Sequence, residues 1–228
     1  MILRAEEASL SYFDGDRTTY ALRDLSITLP STGLFGIMGP SGSGKSSLLY
    51  VLSGLKTPTT GDVRYDGRSL RRMPDRARVQ LRRQRFGFVF QQPYLLGFLT
   101  ARENILIASP EQDRRAQRHV DDLMEELQIA RLRDRFPAHL SGGERQRIIV
   151  ARSMINHPEV IFADEPTASL DHSNGRAVVD LLERYRSRGA VIVVTHDAAM
   201  LQNADTVYYL QDGSLAIGVD LQQKLPAI

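Results

Sequence analysis

A chain of 228 residues, 42% hydrophobic and 25% charged, has the make-up of an ordinary soluble globular protein of one or two lobes, long enough to bury a core without disulfides. It has no cysteine, which excludes a disulfide framework and any cysteine metal centre, and its net charge of +2 singles out no class of partner. Its first residues, Met1 to Glu7, lack the apolar core of a secretory signal, and no run reaches the roughly 20 apolar residues that span a bilayer, so the chain is expected in the cytosol or on a membrane's inner face.

Leu25, Ile27 and Leu29 alternate with Asp24, Ser26 and Thr28, the period of a half-buried strand. Leu34 to Met38 is a short apolar run read as a buried strand, and it ends on Gly39-Pro40-Ser41-Gly42-Ser43-Gly44-Lys45-Ser46. That octet fits the phosphate-loop pattern of glycine, four residues, then Gly-Lys-Ser, and the helix it opens continues through Ser47, Leu48, Leu49, Val51 and Leu52. Glycines let backbone N–H groups turn inward toward phosphate, and the positive end of the helix dipole adds to them. Lys45 would reach the β- and γ-phosphates and the Ser46 hydroxyl would ligate Mg²⁺. Only Lys45, Lys56 and Lys224 among 29 basic residues are lysines, so the one inside the loop points to a need for a compact ammonium. A dinucleotide fold fails, because Gly42-Ser43-Gly44 lacks a third glycine at the required spacing.

Eight arginines between Arg68 and Arg85 face the single acid Asp75; a solvated helix face is the first reading, with anionic lipid or nucleic acid behind it. Phe86 to Phe90 reads as a strand, followed by Gln91 and Gln92 and then by Tyr94-Leu95-Leu96-Gly97-Phe98-Leu99, apolar for a loop. That stretch either helps to receive a helix from a membrane protein or forms a small core cluster. Val120, Leu123, Met124 and Leu127 share a helix face. Leu140-Ser141-Gly142-Gly143-Glu144-Arg145-Gln146-Arg147 then heads a further helix through Ile148, Ala151 and Ile155. A serine and two glycines at a helix start offer free N–H groups to an anion, and Ser141 also suits an N-cap.

Past His157-Pro158 the pattern changes to buried strands joined by a helix: Val160 to Ala163, the helix face Val178, Leu181, Leu182 and Tyr185, then Val191 to Val194. The first of these strands ends in Asp164-Glu165, where Asp164 can hold Mg²⁺ directly or through water. Alternation along the strand sends Glu165 the other way, to orient or deprotonate an attacking water. Thr206 to Leu210 and Ser214 to Ile217 flank the hairpin signal Asp212-Gly213. Strands alternating with helices imply an α/β fold with a mainly parallel sheet, into which a helical lobe from about Pro93 to His157 is inserted.

From Tyr12 to Gly213 these motifs, in this order, resemble the ATP-binding cassette family, whose signature looks like Leu140-Ser141-Gly142-Gly143-Glu144-Arg145-Gln146. The resemblance implies a P-loop NTPase with a mainly parallel core, an antiparallel β subdomain and an α-helical lobe. Residues 1–92 and 158–228 would form the first two and residues 93–157 the helical signature subdomain. It implies that Tyr12 stacks on adenine, though plain strand surface is an equal reading. It makes Gln91 the loop glutamine that senses Mg²⁺ and γ-phosphate, unless Gln92 takes that place. It makes Ser169-Leu170-Asp171 an interface loop, with Asp171 at the nucleotide, and His196, after Val191 to Thr195, the switch histidine at the γ-phosphate. Ser141, Gly142 and Gly143 would bind the γ-phosphate held by another copy, so that a homodimer encloses two ATP with Mg²⁺ and both sites hydrolyse. Ser46-Ser47 stands where many relatives have Ser-Thr. The expected partner is an integral-membrane permease, with no nucleic acid, the rival reading being the nucleic-acid-associated ATPases that share this cassette. The motifs look most like the lipoprotein-release and macrolide-export branch, which also includes a cell-division cassette that transmits force without transport. The short chain without a C-terminal regulatory domain argues against the sugar-importer type.

Overall fold

The computed structural model describes residues 2–219 and contains two sheets. The smaller one is antiparallel: β1 (Leu3–Asp14), β2 (Arg17–Leu29), β4 (Thr60–Tyr65) and the short β5 (Arg68–Ser69), in the order β2-β1-β4-β5. The larger has six strands: β3 (Gly33–Met38), β6 (Phe86–Val89), β7 (Val160–Asp164), β8 (Ala190–Val194), β9 (Thr206–Gln211) and β10 (Ser214–Val219). Its order is β10-β9-β3-β8-β7-β6; every neighbouring pair is parallel except the β9–β10 hairpin, whose Asp212 and Gly213 both take positive φ, 49° and 81°. That pair of conformations is what a two-residue hairpin turn with the right twist requires.

The side chains of the central strands divide by a period of two between two hydrophobic layers. On one face Leu34, Ile161, Ala163, Val191 and Val193 pack with residues of α3 (Ala101–Leu106), α4 (Arg114–Glu126), α5 (Gly142–Met154) and α6 (His172–Tyr185). On the other, Phe35, Ile37, Val160, Phe162, Ile192 and Val194 pack with α1 (Lys45–Leu52) and the inner face of the antiparallel sheet. Burial of each such Val, Leu, Ile or Phe stabilises the fold by about 1.5–3 kcal/mol. Val120, Leu123, Met124 and Leu127 of the helical region belong to the same continuous layer as the sheet residues.

Helix starts are signed by their side chains. Thr100 with Glu103 and Ser141 with Glu144 form capping boxes on α3 and α5, while Asp113 and Asp171 cap α4 and α6. Among the described α-helices, α1 alone has neither a capping side chain nor an acid in its first turn. The arginine-rich α2 (Asp75–Arg85) buries none of its residues, as a solvated face requires. Several of its arginines turn back on the fold: Arg82 donates to the Gly54 carbonyl at 2.7 Å and Arg85 to Glu159 at 2.5 Å. Among the described residues, no helix is long and apolar enough to cross a membrane.

Candidate functional site

Three adjacent strands of the larger sheet, β3, β8 and β7, end together, with Ile37 and Asp164 both in register with Val194. Their C-terminal ends carry the phosphate loop, the Asp164-Glu165 pair and His196. In a parallel sheet, that edge is where loops from neighbouring strands converge on a ligand.

The loop from Gly39 to Gly44 is shaped by close backbone approach. A Cβ at Gly39 would overlap the Leu210 carbonyl and one at Gly44 the Ala21 carbonyl, and both glycines sit at positive φ, 149° and 101°. Any other residue there must move the chain. Lys45 is buried, and its Nζ donates to the carbonyls of Gly39 and Pro40, each at 2.9 Å. The ammonium thus braces the loop by two neutral acceptors and, among the described residues, has no carboxylate partner. Ser43 Oγ is buried with no hydrogen-bond partner among the described residues, while Ser41 and Gly42 are exposed. An uncapped helix start, an orphaned buried hydroxyl and an ammonium held only by carbonyls together fit a polyanion at this loop.

The carboxylates are held differently. Asp164 is 7% exposed; its Oδ1 accepts from Ser46 Oγ at 2.9 Å and its Oδ2 from the Tyr50 hydroxyl at 3.2 Å. Burial pushes its carboxyl above the ordinary aspartate range, and the two hydroxyls pull it part of the way back. Among the described residues, no group of three or more His, Cys, Asp or Glu is placed to hold a metal. The Ser46–Asp164 oxygen pair fits a hard cation such as Mg²⁺, which takes one or two protein oxygens and completes its shell with phosphate and water.

Glu165 departs from the expectation of strand alternation. β7 ends at Asp164, and Glu165 takes φ 46°, with its N–H donating to the Val194 carbonyl at 2.9 Å. This left-handed turn, not the pleat, aims its carboxylate, and both oxygens lie 3.0 Å from His196 Nδ1. A non-glycine residue in this region costs on the order of 1–3 kcal/mol and persists where its surroundings over-determine it.

Among the described residues, no hydrogen bond joins the remaining candidates to this group, although Gln91 follows β6, whose Val89 is in register with Ala163 of β7. Tyr12 is on β1, paired with Thr19 and 42% exposed; Lys56 Nζ sits 4.5 Å from its ring centroid and donates to its hydroxyl at 2.8 Å. Gln91 and Gln92 are exposed just past β6, where Gln146 Nε2 donates to the Phe90 carbonyl at 3.0 Å. Ser141 Oγ accepts from Glu144 N at 3.2 Å, and Gly143 packs so closely on Asn174 that a Cβ would overlap it. Asp171 holds Asn174 by its backbone and side-chain amides at 2.9 and 2.7 Å, and these bonds bring its carboxyl down to about 2. Among the described residues, the hydrogen bonds of Ser141, Gly142 and Gly143 run within their own helix, and none reaches the phosphate loop. Two residues escaped the sequence reading. Tyr50 lay inside an apolar run, its signal being the four-residue step from Ser46, and Gln146 sat unassigned within the signature.

The ABC transporter family model matches residues 22–168. The macrolide export ATP-binding/permease protein MacB of Neisseria gonorrhoeae is 35% identical over 99% of this chain and 36% of its own length. MacB of Salmonella choleraesuis is 37% identical over 98% of this chain and 35% of its own. The chain therefore spans about a third of the length of these relatives. Among solved structures, the dimeric ATP-binding cassette MJ0796, in a post-hydrolysis state with ADP and Pi, superposes with a TM-score of 0.89 at 30% identity, covering 96% of this chain and 99% of that one.

Proposed function

This chain belongs to the ABC transporter family as an ATP-binding cassette with ATPase activity, and on that premise we propose that it is the motor of a membrane transporter, working as two copies closed face to face over two ATP. The observation that carries the reading is a division of parts. The phosphate loop, Asp164, Glu165 and His196 share one sheet edge, whereas Ser141 and Gly142 are exposed on a helix start bonded elsewhere. A second copy supplies what one copy lacks: its Ser141, Gly142 and Gly143 face the γ-phosphate, and Asp171 holds the adjoining interface loop. The dimeric state of the MJ0796 cassette supports this arrangement.

In this reading Gly39 to Ser47 wrap the phosphates and Tyr12 stacks on the base, its ring already backed by Lys56. The Lys45 ammonium exchanges its two carbonyl acceptors for β- and γ-phosphate oxygens. Ser46 and Asp164 would hold Mg²⁺, with Gln91 as a further ligand, and a bound ion would supply charge neutralisation at the phosphates. Glu165 takes a proton from the water whose oxygen attacks the γ-phosphorus, as the bond to the ADP oxygen breaks. His196 steadies that carboxylate by donating from Nδ1, and its other ring nitrogen serves a γ-phosphate oxygen only when the ring is doubly protonated, so that both nitrogens donate. Residues 93–157 are read as the helical signature subdomain and the rest as the core and β subdomains.

The partner is a permease, and the motor acts from the cytoplasmic face of the membrane to drive export or extraction. The relatives named above join an ATP-binding and a permease part, which supports this choice. The loop after β6 supports it physically. Tyr94 and Phe98 are 63% and 77% exposed, and Leu96 is also exposed. Their backbone is nonetheless fixed, since buried Asn104 bonds Leu96, Leu99 and Thr100 and Arg152 donates to the Tyr94 carbonyl. Leu95 alone turns into the core. Rigid exposed apolar side chains are what a docking surface needs. Replacing Leu96 and Phe98 with glutamate is expected to weaken permease association by about tenfold or more while nucleotide affinity stays at the wild-type value. Nucleotide titration beside ATPase assays in permease-containing membranes checks this, and unaltered coupling would contradict it.

A further inference from the structure

Both oxygens of Asp164 receive donors from one helix. Ser46 and Tyr50 are four residues apart on α1, so their side chains lie one turn apart on the same face. The serine hydroxyl meets Oδ1 at 2.9 Å and the phenol meets Oδ2 at 3.2 Å. We propose that Tyr50 is a positioning residue for the metal-binding carboxylate: its hydroxyl fixes the rotation of Asp164 so that the oxygen beside Ser46 is the one offered to the cation. The proposal rests on reading Ser46 and Asp164 as the Mg²⁺ pair.

An aspartate's terminal torsion is broad and two-fold, so one hydrogen bond leaves the carboxylate free to swing. A second donor on the far oxygen removes that freedom. It also satisfies a buried acceptor that would otherwise be costly to leave unpaired. Tyrosine suits the task chemically. It is a neutral donor, so the full negative charge of the carboxylate stays available to the cation, which a lysine or arginine at this place would offset. The phenol is delivered from a fixed backbone, because the Tyr50 carbonyl accepts from Ser53 Oγ at 3.2 Å and from Lys56 N at 2.9 Å.

Tyr50→Phe removes the hydroxyl and keeps the ring. The test is Mn²⁺ binding in the presence of ADP, followed by electron paramagnetic resonance, beside ADP affinity in chelator and the unfolding midpoint. Asp164→Asn marks the loss of the ligand itself. The expected result is a roughly three- to tenfold rise in the Mn²⁺ concentration for half-saturation, the net scale of one ordinary hydrogen bond. ADP affinity in chelator should match wild type, while the unfolding midpoint should fall modestly, because Asp164 Oδ2 is left buried without its donor. Wild-type manganese affinity in Tyr50→Phe beside a weakened Asp164→Asn would overturn the role of Tyr50 alone. Wild-type affinity in Asp164→Asn would overturn the metal reading and this role with it. A parallel fall in metal-free ADP affinity would make Tyr50 a packing residue, and would likewise overturn the proposal.

Discussion

Replacing Glu165 by glutamine is expected to lower ATP hydrolysis by about 10²- to 10⁴-fold, the range of a positioned general base. ATP should still bind, and a two-copy, ATP-bound species should accumulate. Glutamine keeps the size of the side chain and one acceptor oxygen, so the left-handed turn at φ 46° and a bond to His196 Nδ1 can persist. What it loses is the capacity to take a proton from water. In the proposed cycle, closure of the dimer depends on the phosphate loop and on Ser141 of the facing copy, neither of which the change touches. Association therefore continues while the step that ends it is blocked. Single-turnover hydrolysis together with sedimentation in ATP and Mg²⁺ measures both halves, and brisk turnover in the variant would remove Glu165 from the role.

Lys45→Ala carries the other large effect, and it acts earlier. The buried ammonium now rests on the Gly39 and Pro40 carbonyls at 2.9 Å, two neutral acceptors that a polyphosphate would outcompete. Charge-assisted bonds to phosphate are about twice as strong as neutral ones. Losing them should weaken ATP binding by about a hundredfold, near 3 kcal/mol. Hydrolysis should fall by a further factor of about 10²–10³, because the same charge meets the negative charge shifting onto the phosphates in the transition state. The two variants thus separate cleanly: Glu165→Gln binds as wild type and stalls, whereas Lys45→Ala binds weakly. Equilibrium titration with a fluorescent ATP analogue, with the unfolding midpoint as a check on the fold, tests this; unaffected affinity would argue against the phosphate-loop assignment.

How much of this was legible in the residues depended on how local the cause is. β3, β7 and β8 stand out because a strand buried on both faces is a near-continuous apolar run. α4 and α6 stand out because one stripe of each enters the core. β1 does not, since register shifts between Ala5 and Ala8, with Glu7 at φ 48°, break its alternation. α3 is six residues long, too short to show a period, and only its Thr100–Glu103 capping box marks it.

The site divides in the same way. Loop and strand-end motifs are readable because phosphate chemistry fixes their internal spacing and their place after a buried strand. The left-handed turn at Glu165 and the Tyr50–Asp164 bond are not. The first is set by the neighbouring strand through Val194, and the second joins residues 114 positions apart.

The central claim is that one copy holds ATP and the other completes the reaction centre. The most direct test is specific ATPase activity across a wide range of protein concentration, with mass followed by sedimentation in the same samples and Ser141→Arg run alongside. The predicted result is activity per chain that rises with the two-copy fraction and collapses when the bulky Ser141→Arg side chain blocks the facing helix start. Constant activity per chain in a species that sediments as a single copy, undiminished by Ser141→Arg, would contradict it.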